Sequence, residues 1–301
     1  MIRRIRSLMA VAALVCLIPA SALAAGPLNV VASFSILGDL VKNVGADRVA
    51  VTTLVGPNQD THVYEPKPAD SKALAGADLT VVNGLGFEGW MPRLVKASGF
   101  KGKLVVASAG VKARTMIDED EGGKRLTDPH AWQDLANGKL YVANIAQALS
   151  QADPAGAEVY KANAAAYLKK IDDLDAWVRA EFAKVPKGER KVITSHDAFG
   201  YFGAAYGVTL LAPMGFSTES EASALNVGKL IRQIKKEQVK ALFFENMNDP
   251  RLIDRIAKET GTTAGGPLFS DALSAPDGPA PDYLAMFKNN VAKRVAAMLG
   301  Q

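Results

Sequence analysis

His62, His130 and His196 are the only histidines among 301 residues, and each falls where an apolar segment gives way to a polar turn. His196 lies in KVITSHDAFGYF, Lys191 to Phe202. Lys191 to Ser195 reads as a short β-branched strand and Phe199 to Tyr206 as the start of a helix, so His196 stands where a strand runs out. Strand ends are where open α/β sheets hold ligands. Neutral imidazole is a preferred ligand of zinc and its neighbours among the transition metals, so a chain with few rings that sets all of them at loop ends points to a shared metal ion. Their separations, 68 and 66 residues, match no local motif such as HExxH, and a shared site has to be assembled by folding. Singly, His62 in GPNQDTHVYEPKPAD and His130 in TDPHAWQD read as ordinary loop histidines. The three together carry the expectation.

Three imidazoles leave one position on a tetrahedral ion. Asp271, in GGPLFSDALS, follows the last strand of the second half much as His196 follows the first, and is the candidate for it. By itself Asp271 also reads as a turn or cap residue. Glu65, Asp197 and Glu245 are nominees for groups that fix the ring tautomers. Were the fourth position open, the same acids would be candidate general bases beside a metal-bound water, and the chain a zinc hydrolase.

The elements that must position these residues alternate in type. Leu28 to Ser33, Val51 to Val55, Leu79 to Asn83 and Lys103 to Ser108 read as strands, with helices over Ile36 to Val44, Lys67 to Ala75 and Gly89 to Ala97. After residue 190 the alternation resumes. Strands are expected at Val192 to Ser195, Val208 to Pro213, Ala241 to Glu245 and Thr262 to Phe269, and helices at Leu225 to Glu237, Pro250 to Thr260 and Pro281 to Leu299. This pattern predicts an α/β fold of two similar parallel-sheet domains. Between the halves, Asp153-Pro154 opens a helix that nothing breaks until Val185-Pro186. Roughly 31 helical residues would reach about 46 Å, enough to cross both halves as a stiff spine. The expected division is 1–24 signal peptide, 25–150 first metal-binding domain, 151–186 connecting helix and 187–301 second metal-binding domain. The polar stretch Lys112 to Thr127, with its acidic run Asp118 to Glu121, reads as an exposed loop.

Residues 1–24 have the form of a secretory signal: Arg3, Arg4 and Arg6, the apolar run Leu8 to Pro19, and Ala22-Leu23-Ala24 before Ala25. The only cysteine, Cys16, would leave with that segment, and Ala13-Leu14-Val15 ahead of it is no lipoprotein cleavage site. The mature chain then has no thiol ligand and no disulfide. Its formal charge falls from +4 to +1 once the three signal arginines go, which leaves no basic field for nucleic acid. Gly84 to Gly89, GLGFEG, fits the GxGxxG fingerprint, but it follows the third strand rather than the first and no acid closes the next strand, so nucleotide binding is not expected.

Six segments, VGPNQDTHVYEPKPAD, NGLGFEGWM, DPHAWQD, TSHDAFGYF, LFFENMNDPRLIDRIAKETG and PLFSDALS, resemble the periplasmic zinc- and manganese-binding proteins of ABC importers, the cluster A-I solute-binding proteins. The resemblance covers essentially the whole mature chain. It implies a non-enzymatic receptor whose metal is held in the cleft by His62 and His130 from one domain and His196 and Asp271 from the other. Histidine rather than a carboxylate at the third position favours Zn2+ over Mn2+ on ligand grounds; a manganese or iron receptor of the same type is the alternative. The implied partner is an ABC permease in the inner membrane, with a periplasmic metallochaperone as a further candidate, and the receptor itself is expected to be a monomer. Three features depart from the family pattern. There is no histidine-rich loop, Glu221-Ala222-Ser223 stands for Glu-Pro-Ser, and the missing lipid anchor implies a soluble protein of a Gram-negative periplasm.

Overall fold

The computed structural model describes residues 26–118 and 124–301; the segment read as a signal, with Cys16, lies outside them. Two four-stranded sheets, each wholly parallel, form the two halves. The first has strands β1 (Leu28–Phe34), β2 (Val49–Val55), β3 (Leu79–Val82) and β4 (Lys103–Val106) in the order β2-β1-β3-β4. Its helices are α1 (Ser35–Gly45), α2 (Pro68–Ala75) and α3 (Met91–Ser98). β3 is buried along its whole length, as parallel strands covered on both faces are.

Lys112 to Thr127, expected as a loop, is in part a hairpin. β5 (Thr115–Asp118) pairs antiparallel with β6 (Lys124–Thr127), in a register that sets Asp118 opposite Lys124. Its polar setting hid the pairing, because strands of four residues are too short to show a period in sequence. Residues 119–123, which take in most of the acidic run, lie outside the described residues.

α4 (Leu135–Ala152) leads to the long helix α5 (Ala157–Ala183). The helix is shorter than expected. Pro154–Gly156 forms a 3-10 turn instead, since Asp153 accepts from the Gly156 amide while binding Arg48 and the Tyr160 hydroxyl. Even so, α5 spans 27 residues, about 40 Å. Tyr160, Ala164, Tyr167, Ile171, Leu174, Val178 and Phe182 make its buried stripe, at the three- and four-residue spacing of a core-facing helix. That stripe packs on α1 and α4 of the first half, and on α6 (Gly200–Tyr206) and α9 (Tyr283–Met298) of the second.

The second sheet has strands β7 (Lys191–Ile193), β8 (Thr209–Leu211), β9 (Ala241–Glu245) and β10 (Ala264–Leu268) in the order β10-β9-β7-β8. β8 stops short of Pro213, which has no amide to give a ladder. α7 (Ala224–Glu237) and α8 (Arg251–Thr260) cover the outer face. One apolar core runs from the first sheet through α4 and α5 into α6 and α9. A smaller one, with Ile193, Leu230, Ile234, Leu242, Ile253 and Ile256, lies under α7 and α8.

Candidate metal centre

His62, His130, His196 and Asp271 converge between the sheets. One ligand atom from each lies within 4.8 Å of the others, and all four residues are buried. His130 Nε2 is 3.4 Å from His62 Nε2 and 3.3 Å from His196 Nε2. Asp271 Oδ2 is 3.3 Å from His62 Nε2 and 3.2 Å from His196 Nε2, and Asp271 Oδ1 is 3.6 Å from His130 Nε2.

Each of the four side chains is set by its own backbone. The loop after β2 carries His62, whose amide donates to Asp60 Oδ1 at 2.9 Å. The Trp90 indole pins that loop by donating to the Thr61 carbonyl, and the Phe87 ring meets the His62 ring edge-on. His130 precedes a short 3-10 turn, Ala131–Gln133. Asp128 Oδ1 accepts from both the His130 amide at 3.0 Å and Nδ1 at 2.9 Å. His196 follows β7 and bridges to Met214. Glu245, at the end of β9, accepts from the Ser195 and His196 amides, from His196 Nδ1 and from Ser270 Oγ. Asp271 follows β10 in a segment bonded to the first half. Trp132 Nε1 and Gln133 Nε2 both donate to the Ser270 carbonyl, and the Leu273 amide donates to Ser35 Oγ.

These braces decide the chemistry. With protons on Nδ1 given to Asp128 and Glu245, His130 and His196 turn Nε2 lone pairs inward. Apart from the rings themselves, no donor reaches either Asp271 oxygen. Lone pairs and a carboxylate thus aim at one buried point, an arrangement that only positive charge satisfies. Burial works against the charged form of His130, but the carboxylates of Asp271 and Asp128 outweigh it and hold its pKa at about 9. His196 is raised well above its ordinary value in the same way, burial being outweighed by Glu245 and Asp271. Asp271 is held well below the usual carboxylate range, because the His130 and His196 rings prevail over its burial. Protons and a metal ion compete for the same place.

Of the three acids nominated as braces, Glu245 holds a ring. Glu65 is exposed, and among the described residues no hydrogen bond joins the Asp197 side chain to an imidazole. Asp128 went unnominated, although Asp-Pro-His places an acceptor two residues ahead of the ring, a signal legible in the sequence. The GLGFEG turn is committed elsewhere. Gly84 and Gly86 adopt left-handed φ of +82° and +85°, and the Asn83 and Gly84 amides donate to the Glu88 carboxylate. Amides that a pyrophosphate would need are already bonded within the protein.

Residues 30–297 match the family described as zinc-uptake complex component A, periplasmic. The chain is 33% identical over 264 residues to the manganese-binding lipoprotein MntA of Halalkalibacterium halodurans, covering 88% of this chain and 86% of that one. It is 34% identical over 286 residues to the metal ABC transporter substrate-binding lipoprotein FimA of Streptococcus parasanguinis, covering 93% and 92%. The Mn-bound periplasmic metal-binding protein from Candidatus Liberibacter asiaticus superposes with a TM-score of 0.80 at 32% identity, covering 89% of this chain and 98% of that one. Sequence and fold agree along nearly the whole described length, so the chain belongs to the zinc-uptake component A family, the metal-binding substrate-binding proteins of ABC transporters.

Proposed function

We propose that this protein is a periplasmic zinc receptor, made with a cleavable signal, that takes Zn2+ on His62, His130, His196 and Asp271 and delivers it to an inner-membrane ABC permease. In this reading residues 25–150 and 187–301 are the two metal-binding domains and 151–186 the connecting helix. The observation that carries it is the spacing of the donors. A tetrahedral ion with bonds of about 2.0–2.1 Å has edges of about 3.4 Å, and five of the six residue pairs here approach to 3.2–3.6 Å, one donor atom from each residue lying within 4.8 Å of the others. Three nitrogens and one carboxylate suit zinc better than manganese, which prefers an oxygen-rich shell. With Asp271 as fourth donor no coordination position is left for an activated water, which argues against a hydrolase.

The manganese named for the relatives is the competing cargo. Elemental analysis of protein purified without added metal, followed by competition titration, separates the two. One equivalent of zinc and a clear zinc preference are expected; manganese retained in its place would overturn the assignment of cargo. His196→Ala should weaken zinc binding by orders of magnitude without unfolding the chain, and unchanged affinity would remove the ligand set.

A further inference from the structure

Arg294, on α9, is the one lysine or arginine fully buried among the described residues, and none of its guanidinium nitrogens has a hydrogen-bond partner. An unpaired cation withdrawn from water is strongly unfavourable unless something nearby needs its charge. Aromatic rings hold it. Its Cζ lies 3.9 Å from the centroid of Phe199 and 4.6 Å from that of Phe202, the geometry of a desolvated cation–π contact.

Those contacts set the charge behind the second-half wall of the metal centre. Phe199 comes three residues after His196. Asn290, one turn earlier on α9, bonds both the amide and the carbonyl of Phe269, two residues ahead of Asp271. Burial lowers the Arg294 pKa to about 9, with the Glu245 carboxylate opposing that shift, so the side chain stays cationic at neutral pH. Three carboxylates touch the imidazoles: Asp128, Glu245 and Asp271. A divalent ion offsets two of their charges. Arg114 approaches Asp128 at 3.7 Å, but its side chain is 44% exposed and its charge is screened by solvent.

We propose that Arg294 is the fixed counter-charge of the loaded centre, a positioning residue that never touches the ion, balances the third carboxylate, and keeps the cargo releasable. The proposal rests on the four-ligand site given above. Without this cation the loaded centre carries an excess negative charge in a low-dielectric setting. The site then grips a divalent ion more tightly and lets it go more slowly.

The direction of the effect separates this role from a structural one, because damage to packing weakens binding. Arg294→Met and Arg294→Gln, both neutral but differently shaped, are made in the full chain. Zinc affinity is read by competition titration and dissociation by transfer to a chelator, with folding followed by circular dichroism. Both variants are expected to bind zinc on the order of tenfold more tightly, with dissociation slowed to match. Removing one of a set of buried charges can cost stability, which is why two variants of different shape are made, and either one that folds decides the matter. Unchanged or weaker binding in a folded variant overturns the proposal. His196→Ala, measured in parallel, keeps the two ideas apart: if it leaves affinity intact the ligand set fails, whereas loss there without tightening in the Arg294 variants removes only the counter-charge.

Discussion

His130 and His196 face one point from opposite halves of the molecule, and the two rings are braced in different ways. The brace of His130 is Asp128, two residues away and in the same turn. That of His196 is Glu245, 49 residues on and reached only across the β7–β9 pairing. A local brace is complete once its turn forms, whereas a distant one depends on the whole second sheet. The surroundings differ in the same sense. β1 and β2 have seven residues each and pair along most of that length, while β7 and β8 have three and the β9–β10 pairing shifts register between Gly265 and Leu268. Asp271 belongs to the second half by sequence, and its segment is bonded to both halves, to the first through Trp132, Gln133 and Ser35 and to the second through Glu245, Asn246 and Asn290. The candidate centre therefore has His62 and His130 on the more extensively paired half, His196 on the less paired sheet, and Asp271 in a segment tied to both.

Removing the side chain whose segment both halves hold is the strongest way to break this picture. Asp271→Ala is expected to weaken zinc binding on the order of a thousandfold or more, measured by competition titration, since it takes away the only charged donor. An effect below tenfold would mean that the carboxylate is not a ligand. The braces come next. Changing a ring's outer partner typically costs tenfold to a hundredfold in metal affinity. Glu245→Gln is expected near the upper figure, because Glu245 also receives two backbone amides and Ser270, and Asp128→Asn near the lower. Equal losses would erase the contrast between local and distant bracing.

Acidity acts on both halves at once. His130 has a folded-state pKa of about 9 against an unfolded value of about 6.5. Its protonation therefore stabilises the metal-free protein fully below about pH 6.5, and that contribution disappears as the pH rises through 9. Zinc must displace the same proton, so affinity is expected to rise with pH about tenfold per unit over this window for each ring that has to lose one. The melting temperature of the metal-free protein should fall across the same window. A flat affinity profile between pH 6.5 and 9 would contradict the charge assignment.

The smallest effect belongs to a bond that joins the halves beside the site. Thr218 Oγ1 donates to Asp60 Oδ2 at 2.6 Å, and Asp60 also holds the His62 amide. Thr218→Val should cost about 1 kcal/mol of stability and change zinc affinity less than about threefold. A larger loss of affinity would show that the His62 loop relies on the second half for its shape, and would sharpen the comparison toward a shared rather than a one-sided scaffold.

Sequence periodicity located the alternating strands and helices of both halves to within a few residues, α4 (Leu135–Ala152) excepted, because a buried parallel strand has to be an apolar run and a core-facing helix has to repeat its stripe. It missed the pairing of β5 with β6, two strands of four residues each, too short to show a period. It also ran α5 one turn too far, where a side-chain cap in the fold, Asp153 held by Arg48 and Tyr160, tightened the entry. Among the acids, Glu245 could be nominated for its place at a strand end, and Asp128 was readable in Asp-Pro-His. Glu65 sat in an equally suggestive segment, yet is exposed to solvent.

By itself the sequence determined which groups were available: three imidazoles at segment ends, no cysteine beyond residue 16, and the order of elements that would carry them. Residue type and local spacing fix such things, since they follow from backbone preference and apolar periodicity. Only the tertiary structure decided that four side chains spread from residue 62 to residue 271 share one point, which carboxylates turn the rings inward, and that a buried guanidinium stands behind them. Those are matters of distance between segments far apart along the chain, set by how two sheets and one long helix pack together.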